Sequence, residues 1–546
     1  MKILKRLGVV ALLLVFFAYG AYLGRHELTR MQEQLPSFTA AAGETQQVRI
    51  EMQDGVKLFT SVMLPEGEGP FPSVLLRNPY ARFTPIMRDT LCGRFIRYGY
   101  ACVLQDVRGQ GESEGEWSPM VNEVRDGRDT ISWLVEQPFQ DGNIAMVGPS
   151  YLASVQYAVA ASGLPSEVKT LVPAVYTTDL STILYSNGMF RHETFTAWAS
   201  MMRDSNSEAD DAGGDYHKAI RHLPHNKVDT AVFGLPMPWY QDMIDIERAK
   251  NTLFNNPDAR LMNQVPENID VPILMVSGWY DVFFGGQMAD WERLATRSSS
   301  RFVLGPWTHA GASGEAFEIE NAQGGLFQWK EMLPWLDHHL KGQPLTNPPG
   351  LYTFTMGENE WHLYEEWPGP TVSKNFSLNN LPDSPSCDGG KLAFEKDSSE
   401  PVSYLYDPLD PVPTMGGAGM LAFILPGFEG AAPANVLQEG LCNRADVLSF
   451  VTPPLDASLL IAGEIRVNLE IASSAPDTAF TAKLMEVFPD GRAINIRDNI
   501  TSLAYRDGGL NRLSYSPGDA INVSIDMWPI EWRVSSGSRI RLDISS

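Results

Sequence analysis

The sequence predicts an α/β domain interrupted by a helical insertion and followed by an all-β domain. Three observations carry that expectation. Short apolar runs alternate with helix-patterned segments from Pro72 to Leu304, which implies a mostly parallel sheet covered on both faces. The alternation stops between Tyr176 and Asn268, a stretch rich in Met, Trp, His and charge that is too long for a loop. Beyond Gly342, short alternating segments are broken by Gly, Pro and Asp, the pattern of a β-sandwich. At 546 residues, two or three domains are expected. The expected division is 1–30 as a signal peptide or membrane anchor, 31–46 as a polar linker, 47–175 with 269–346 as the α/β core, 176–268 as a helical cap, and 347–546 as the β-sandwich.

Taken in order, Val48 to Leu64 alternates about a turn at Asp54-Gly55 and predicts a hairpin. Pro72 to Arg77 and Tyr100 to Asp106 read as buried strands on either side of a helix over Leu91 to Tyr98. The second strand leads into a glycine-rich loop, Arg108-Gly-Gln-Gly-Glu-Ser-Glu-Gly115. That loop is not a phosphate cradle, because it lacks both the Lys-Ser/Thr of a P-loop and the G-x-G-x-x-G order. Glu123 to Gln137 carries an apolar face of Val124, Ile131, Leu134 and Val135, and predicts a helix. Further strands are expected at Ile144 to Val147, Thr170 to Val175, Val271 to Val276 and Arg301 to Leu304. The helical insertion is expected over the carboxyl ends of these strands, where open α/β sheets bind ligands.

The 66 acidic against 42 basic side chains leave a formal charge of −24, which argues against nucleic acid or anionic lipid as the main partner. At the N-terminus, Lys2, Lys5 and Arg6 precede an uncharged, mostly apolar run over residues 7–24. Its length suits a retained single-pass anchor, and Ala18-Tyr-Gly20 offers a poor cleavage site for a signal peptide. On either reading the chain beyond residue 30 or so lies outside the cytoplasm. That compartment permits disulfides among Cys92, Cys102, Cys387 and Cys442. Pairing 92 with 102 and 387 with 442 is the economical arrangement of three, with free buried thiols the alternative for the first pair.

The chemistry-bearing residues sit where the strands end. Gly148-Pro-Ser150-Tyr-Leu-Ala153 follows a buried strand and opens an alanine-rich helix. A sharp turn there lifts one side chain to the top of the sheet, as in the nucleophile elbow of an α/β-hydrolase. The general pattern G-x-S-x-G is broken by Leu152, with the small residue one place later at Ala153. A serine nucleophile needs a base, and the base needs an orienting acid. Ser277-Gly-Trp-Tyr-Asp281 and Gly305-Pro-Trp-Thr-His309 each follow a predicted buried strand, in the chain order serine, acid, histidine. A lone histidine in a loop is usually structural; three ordered residues, each just past a strand, are far rarer by accident.

These residues carry a family resemblance. The chain resembles the superfamily of cocaine esterases, glutaryl-cephalosporin acylases and X-Pro dipeptidyl-peptidases. The matching pieces are Arg77-Asn-Pro-Tyr80, Gln105 to Gly115, Gly148-Pro-Ser-Tyr151, Gly278-Trp-Tyr-Asp281, Gly305-Pro-Trp-Thr-His309, Met356-Gly-Glu-Asn-Glu-Trp361, Tyr406 to Thr414 and Asp477 to Leu484. The resemblance implies an α/β-hydrolase fold with an inserted helical cap and a C-terminal all-β jelly roll. It implies a serine hydrolase that needs no cofactor, with Ser150 as nucleophile, His309 as general base and then acid, and Asp281 orienting it. It places the oxyanion hole at the backbone N–H of Tyr151 and the hydroxyl of Tyr80. The family elbow resembles G-x-S-Y-x-G, and Ala153 stands at the last glycine. Family amino-ester hydrolases hold a substrate ammonium with acidic residues, one of them just before a segment like Tyr185 to Phe190; here that place is Ser181-Thr-Ile-Leu184, without a carboxylate. The last expected β-strand is still running at Ser546, where relatives continue.

The expected function is therefore extracytoplasmic hydrolysis of a small-molecule ester or amide, or of a peptide, through an acyl-enzyme. The rivals are an X-Pro dipeptidyl-peptidase and a non-catalytic scaffold that binds glycan or peptide. Phe283 and Phe284, just after Asp281, are candidates to wall an apolar acyl pocket, with ordinary core packing as the alternative. The other clusters read as bland. His192-Glu193 lacks a second histidine at metal spacing, and His217, His222 and His225 lie in a polar part of the cap. His338-His339 is expected to end a helix, where positive charge suits the dipole.

Overall fold

The computed structural model describes residues 25–203, 212–314, 319, 322, 325, 327–380, 386–395, 397, 400–424 and 432–546. The apolar run 7–24, read as anchor or signal peptide, lies outside the described residues. Among the described residues no helix is long and apolar enough to cross a membrane.

A ten-stranded sheet forms the frame. Its strands are β1 (Ala42–Glu51), β2 (Lys57–Pro65), β3 (Phe71–Asn78), β4 (Ala101–Asp106), β5 (Gln140–Pro149), β6 (Val168–Ala174), β7 (Leu274–Tyr280), β8 (Arg301–Thr308), β9 (Gly350–Thr355) and β10 (Glu360–Tyr364). They lie in the order β1-β2-β4-β3-β5-β6-β7-β8-β9-β10. From β4 through β9 neighbouring strands run parallel, and the hairpins β1–β2 and β9–β10 close the two edges antiparallel. Every residue of β4, β7 and β8 is buried, which explains their continuous apolar reading. Helix α1 (Glu123–Val135) packs on α2 (Tyr151–Ala161), which follows β5 directly. The cap contributes α3 (His192–Met202), whose residues Thr194 to Ser200 are all buried. This is the α/β-hydrolase architecture with a mixed α/β N-terminal part. Beyond it, the chain from Ser377 to Ser545 is dominated by β-strands: a six-stranded sheet and two two-stranded sheets of mainly antiparallel pairs.

Three local expectations meet a different outcome. Residues 31–46, expected as a linker, are docked: Leu35 is buried, Arg94 Nη1 pairs with Glu33 at 2.8 Å, and β1 begins at Ala42. Their polarity misleads because the docking is itself polar and β1 is mostly exposed. Strands β9 and β10 lie beyond the expected boundary at 346, yet their hydrogen bonds extend the N-terminal sheet. His339 does not supply positive charge to the end of α4 (Trp329–Lys341). Burial against Trp335, with His338 and Arg301 nearby, pushes its imidazole down to about 4. That helix ends at Gly342 in the left-handed conformation (φ 68°), which satisfies its last carbonyls as glycine does.

The two parts of the chain are tied by buried polar groups. Glu531 is fully buried and accepts hydrogen bonds from Thr353 Oγ1 (2.8 Å), Thr355 Oγ1, Tyr364 Oη (3.0 Å) and Trp367 Nε1 (2.7 Å). Four donors meet the lone pairs of one carboxylate, which is what a buried charge requires. Arg497 donates to the carbonyls of Trp279 and Pro529. Glu193, on α3, accepts from the backbone N–H groups of Met420 (2.6 Å) and Leu421 (2.7 Å). Disulfides join Cys92 to Cys102 and Cys387 to Cys442, each within one part.

Candidate active site

Ser150, Asp281 and His309 stand at the carboxyl ends of β5, β7 and β8, on one edge of the parallel sheet. Ser150 has φ 56° and ψ −126°, a conformation that a side chain rarely adopts. The neighbouring glycine permits the turn: at Gly148 (φ 150°) an added Cβ would fall 2.4 Å from Leu152 Cβ. Ser150 N–H donates to Ala174 O (2.9 Å), and its own carbonyl accepts from Ala153 N–H (2.8 Å), so strand and helix pin the turn from both sides. Tyr151 opens α2, where backbone N–H groups have no partner within the helix and point outward.

His309 and Asp281 are in contact. Nδ1 of the imidazole lies 2.5 Å from Asp281 Oδ2, and both side chains are buried. A carboxylate oxygen only accepts, so Nδ1 carries the proton and Nε2 is the basic nitrogen. The other carboxylate oxygen accepts from Phe283 N–H at 2.8 Å. Arg191, from the start of the cap helix, adds a positive field at Asp281. Burial pushes that guanidinium down to about 10, which leaves it charged at neutral pH.

Tyr80 reaches Ser150. Its side chain lies beside those of Trp198 and Ser150, and burial pushes the phenol up, so it keeps its proton at neutral pH. An indole N–H only donates, so Trp198 does not compete for the Tyr80 proton. The Tyr151 side chain turns the other way. Its hydroxyl donates to Glu123 Oε1 (2.9 Å) and accepts from Met120 N–H (2.8 Å), while Arg77 pairs with Glu123 at 2.9 Å. Tyr151 can therefore serve the serine only through its backbone.

Aromatic rings wall the site. Phe283 meets the His309 ring edge-on at 5.3 Å and also contacts Tyr176 and Phe195. Trp117, Trp198 and Trp239 touch one another at 5.3–5.6 Å between centroids. Phe284 is placed elsewhere: it is fully buried against Trp279 (5.2 Å) and under the Arg497 guanidinium. Reading the sequence missed Trp198, although the Trp- and Met-rich character of the cap was a signal. A cavity of about 630 Å³ lies where cap, core and C-terminal part meet, lined by Arg191, Tyr280, Lys483 and Asp498 among others. The histidines of the cap form no metal group among the described residues. Ligand atoms of Glu358, Glu360 and His362 do lie within 4.8 Å of one another on the β9–β10 hairpin, but Arg533 already pairs with Glu358 at 2.6 Å.

A serine at a strand–turn–helix, a buried histidine–carboxylate pair and a hydroxyl donor on one sheet edge define a class, the serine hydrolases of α/β-hydrolase fold. Comparison with known proteins narrows it. Residues 54–311 match the X-Pro dipeptidyl-peptidase (S15 family), and residues 345–546 match the X-Pro dipeptidyl-peptidase C-terminal non-catalytic domain. The cocaine esterase of Rhodococcus sp. (strain MB1 Bresler) is 31% identical over 528 residues, covering 91% of this chain and 90% of that protein. A solved α-amino acid ester hydrolase superposes with a TM-score of 0.74 at 22% identity, covering 94% of this chain and 90% of that one. An aminopeptidase from a marine sediment archaeon, Thaumarchaeota archaeon, gives 0.71 at 23% identity, with the same coverage. The chain belongs to the cocaine esterase and X-Pro dipeptidyl-peptidase superfamily, and it is a serine hydrolase.

Proposed function

We propose that this hydrolase cleaves an ester or amide bond through an acyl-enzyme on Ser150. His309 Nε2 takes the serine proton as Oγ attacks the carbonyl carbon, and later returns it to the leaving group; Asp281 holds the tautomer and stabilises the imidazolium. The charge that develops on the carbonyl oxygen is met by the Tyr80 hydroxyl and the Tyr151 N–H. Water, activated in turn by His309, then releases the acyl group. Phe283, rather than Phe284, faces the acyl side of the reacting carbon. The observation that carries the reading is the 2.5 Å contact of His309 Nδ1 with a buried Asp281, on the sheet edge that also holds the strained Ser150.

The test is labelling with a fluorophosphonate. Wild type is expected to label and to lose activity stoichiometrically, and Ser150→Ala to do neither while keeping its melting temperature. Labelling of the alanine variant at the wild-type rate would place the nucleophile elsewhere, and an unlabelled wild type would favour a non-catalytic scaffold. Dipeptide release is the rival within the family; p-nitrophenyl esters assayed beside Gly-Pro and Ala-Pro anilides separate the two by kcat/KM. We also infer that the chain works outside the cytoplasm. Two disulfides and the apolar run 7–24 support this. Activity that follows the cytosolic fraction after cell fractionation would overturn it.

A further inference from the structure

The glycine-rich loop after β4 has no place in the mechanism so far, yet it closes over a chain of hydrogen bonds that ends at Tyr80. Asp106 is the last residue of β4 and lies beside Asn78, the last of β3, in the parallel register. Its carboxylate accepts from Thr84 Oγ1 at 2.6 Å. Thr84 Oγ1 in turn accepts from Asn78 Nδ2 at 3.0 Å. The Asn78 amide grips Tyr80 on both sides: Nδ2 donates to Tyr80 O (3.0 Å), and Oδ1 accepts from Tyr80 N–H (3.0 Å). All three of Asn78, Thr84 and Asp106 are buried.

The chain has a direction. A hydroxyl has one proton, and the carboxylate takes it, so Thr84 can only accept from Asn78. That fixes which end of the amide faces Thr84, and therefore which end faces the Tyr80 N–H. Without the carboxylate, Thr84 could donate to a flipped Asn78, and the grip on Tyr80 would be lost. The grip has work to do, because Tyr80 sits at φ −101°, ψ 75°, ahead of a short turn and without a side-chain cap. Burial pushes Asp106 up to about 6, which leaves it mostly ionised and acceptor-only at neutral pH.

The loop supplies the other wall. The backbone at Glu112 favours the ionised form of the Asp106 carboxylate. At Gly111 (φ 59°) any Cβ would stand 2.2 Å from Asp106 Oδ2, and at Gly109 (φ 70°) one would stand 2.3 Å from Trp117 N. Both glycines are there because the loop must press against the Asp106 carboxylate at one point and against the backbone of Glu116 and Trp117 at the other.

We propose that Asp106, Thr84 and Asn78, closed over by Gly111 and Glu112, are the positioning residues of Tyr80, aiming its hydroxyl at the oxygen of the carbonyl under attack. This rests on the reading of Tyr80 as an oxyanion donor, and the experiment separates the two. Thr84→Val and Thr84→Ser are made in the wild type and in Tyr80→Phe, and kcat, KM and melting temperature are measured on each. In the wild type, Thr84→Val is expected to lower kcat about 10- to 100-fold with KM little changed, as a small misplacement of a reacting group does. Thr84→Ser, which keeps the hydroxyl, should recover kcat to within about two-fold. In the Tyr80→Phe background Thr84→Val should change kcat no further. Equal losses in both backgrounds, or a lower melting temperature with normal kcat, would overturn the inference while leaving Tyr80 in its role. Normal kcat for Tyr80→Phe would remove the reading beneath it. Should Thr84→Val fail to fold, Asp106→Asn serves in the same design: it keeps the volume and loses the direction of the chain, and the same loss of kcat is expected.

Discussion

Ser150 stores strain that its surroundings pay for: a non-glycine residue at φ 56° costs about 1–3 kcal/mol. The return is an oxygen raised above the sheet beside a donor, Tyr80, that already keeps its proton. Tyr80→Phe is expected to cut kcat by about 10²–10³, or roughly 3–4 kcal/mol of transition-state stabilisation. KM should move little, because the bond forms as charge develops. A normal kcat with a lowered melting temperature would return Tyr80 to the scaffold. Asp281→Asn should cost about 10⁴ in kcat, since an amide facing Nδ1 favours the wrong imidazole tautomer. A variant within about ten-fold of wild type would remove Asp281 from the proton path.

Among the elements, α4 shows how a helix end can be misread. The imidazole of His339 has its folded pKa depressed, from the usual 6.5 to about 4. The unfolded chain therefore binds the extra proton between those values. The stability that His339 contributes is present above pH 6.5 and is lost as pH falls toward 4. His339→Gln should thus gain melting temperature relative to wild type on going from pH 7.5 to pH 5. A gap that stays constant with pH would show that the imidazole takes up its proton in the fold as readily as in the unfolded chain. How much could be read beforehand follows the same physics. Strands β4, β5, β7 and β8 are buried on both faces over their apolar runs, so they stand out, and Ser150, Asp281 and His309 could be placed by counting from their ends. Trp198 could not, because its direction depends on how α3 lies across the sheet. Nor could the chain from Asp106 to Tyr80, which joins residues whose side chains meet only once β3 and β4 are paired. The alternating pattern of β9 and β10 was visible, but alternation does not say which sheet a strand joins.

For the whole molecule, the join between core and C-terminal part bears on the active site. Arg497 donates to the carbonyl of Trp279, two residues before Asp281, and its guanidinium lies 5.2 Å from the Phe284 ring centroid. Arg497→Met would keep the packing and leave two carbonyls without their donor, at about 1–3 kcal/mol for each unsatisfied group. Both melting temperature and kcat are expected to fall, and the two measured on one preparation decide it. A lowered melting temperature with unchanged kcat would show that the junction supports the fold without setting the site.

The hairpin β9–β10 carries a consequence for anyone who recombines relatives of this chain. By covalent order it travels with the jelly roll, but it is the outer border of the other sheet. A crossover placed at residue 346 would exchange that border together with the jelly roll and graft a foreign strand onto β8. Where the graft does not fit, Arg301 to Leu304 would present bare backbone groups to the next chain, an invitation to pair edge to edge and precipitate. A crossover beyond Trp367 keeps the border native. It then asks the incoming module for the groups that tie the two parts: a carboxylate at position 531, ready for the donors of Thr353, Thr355, Tyr364 and Trp367, and a guanidinium at position 497 for the carbonyl of Trp279.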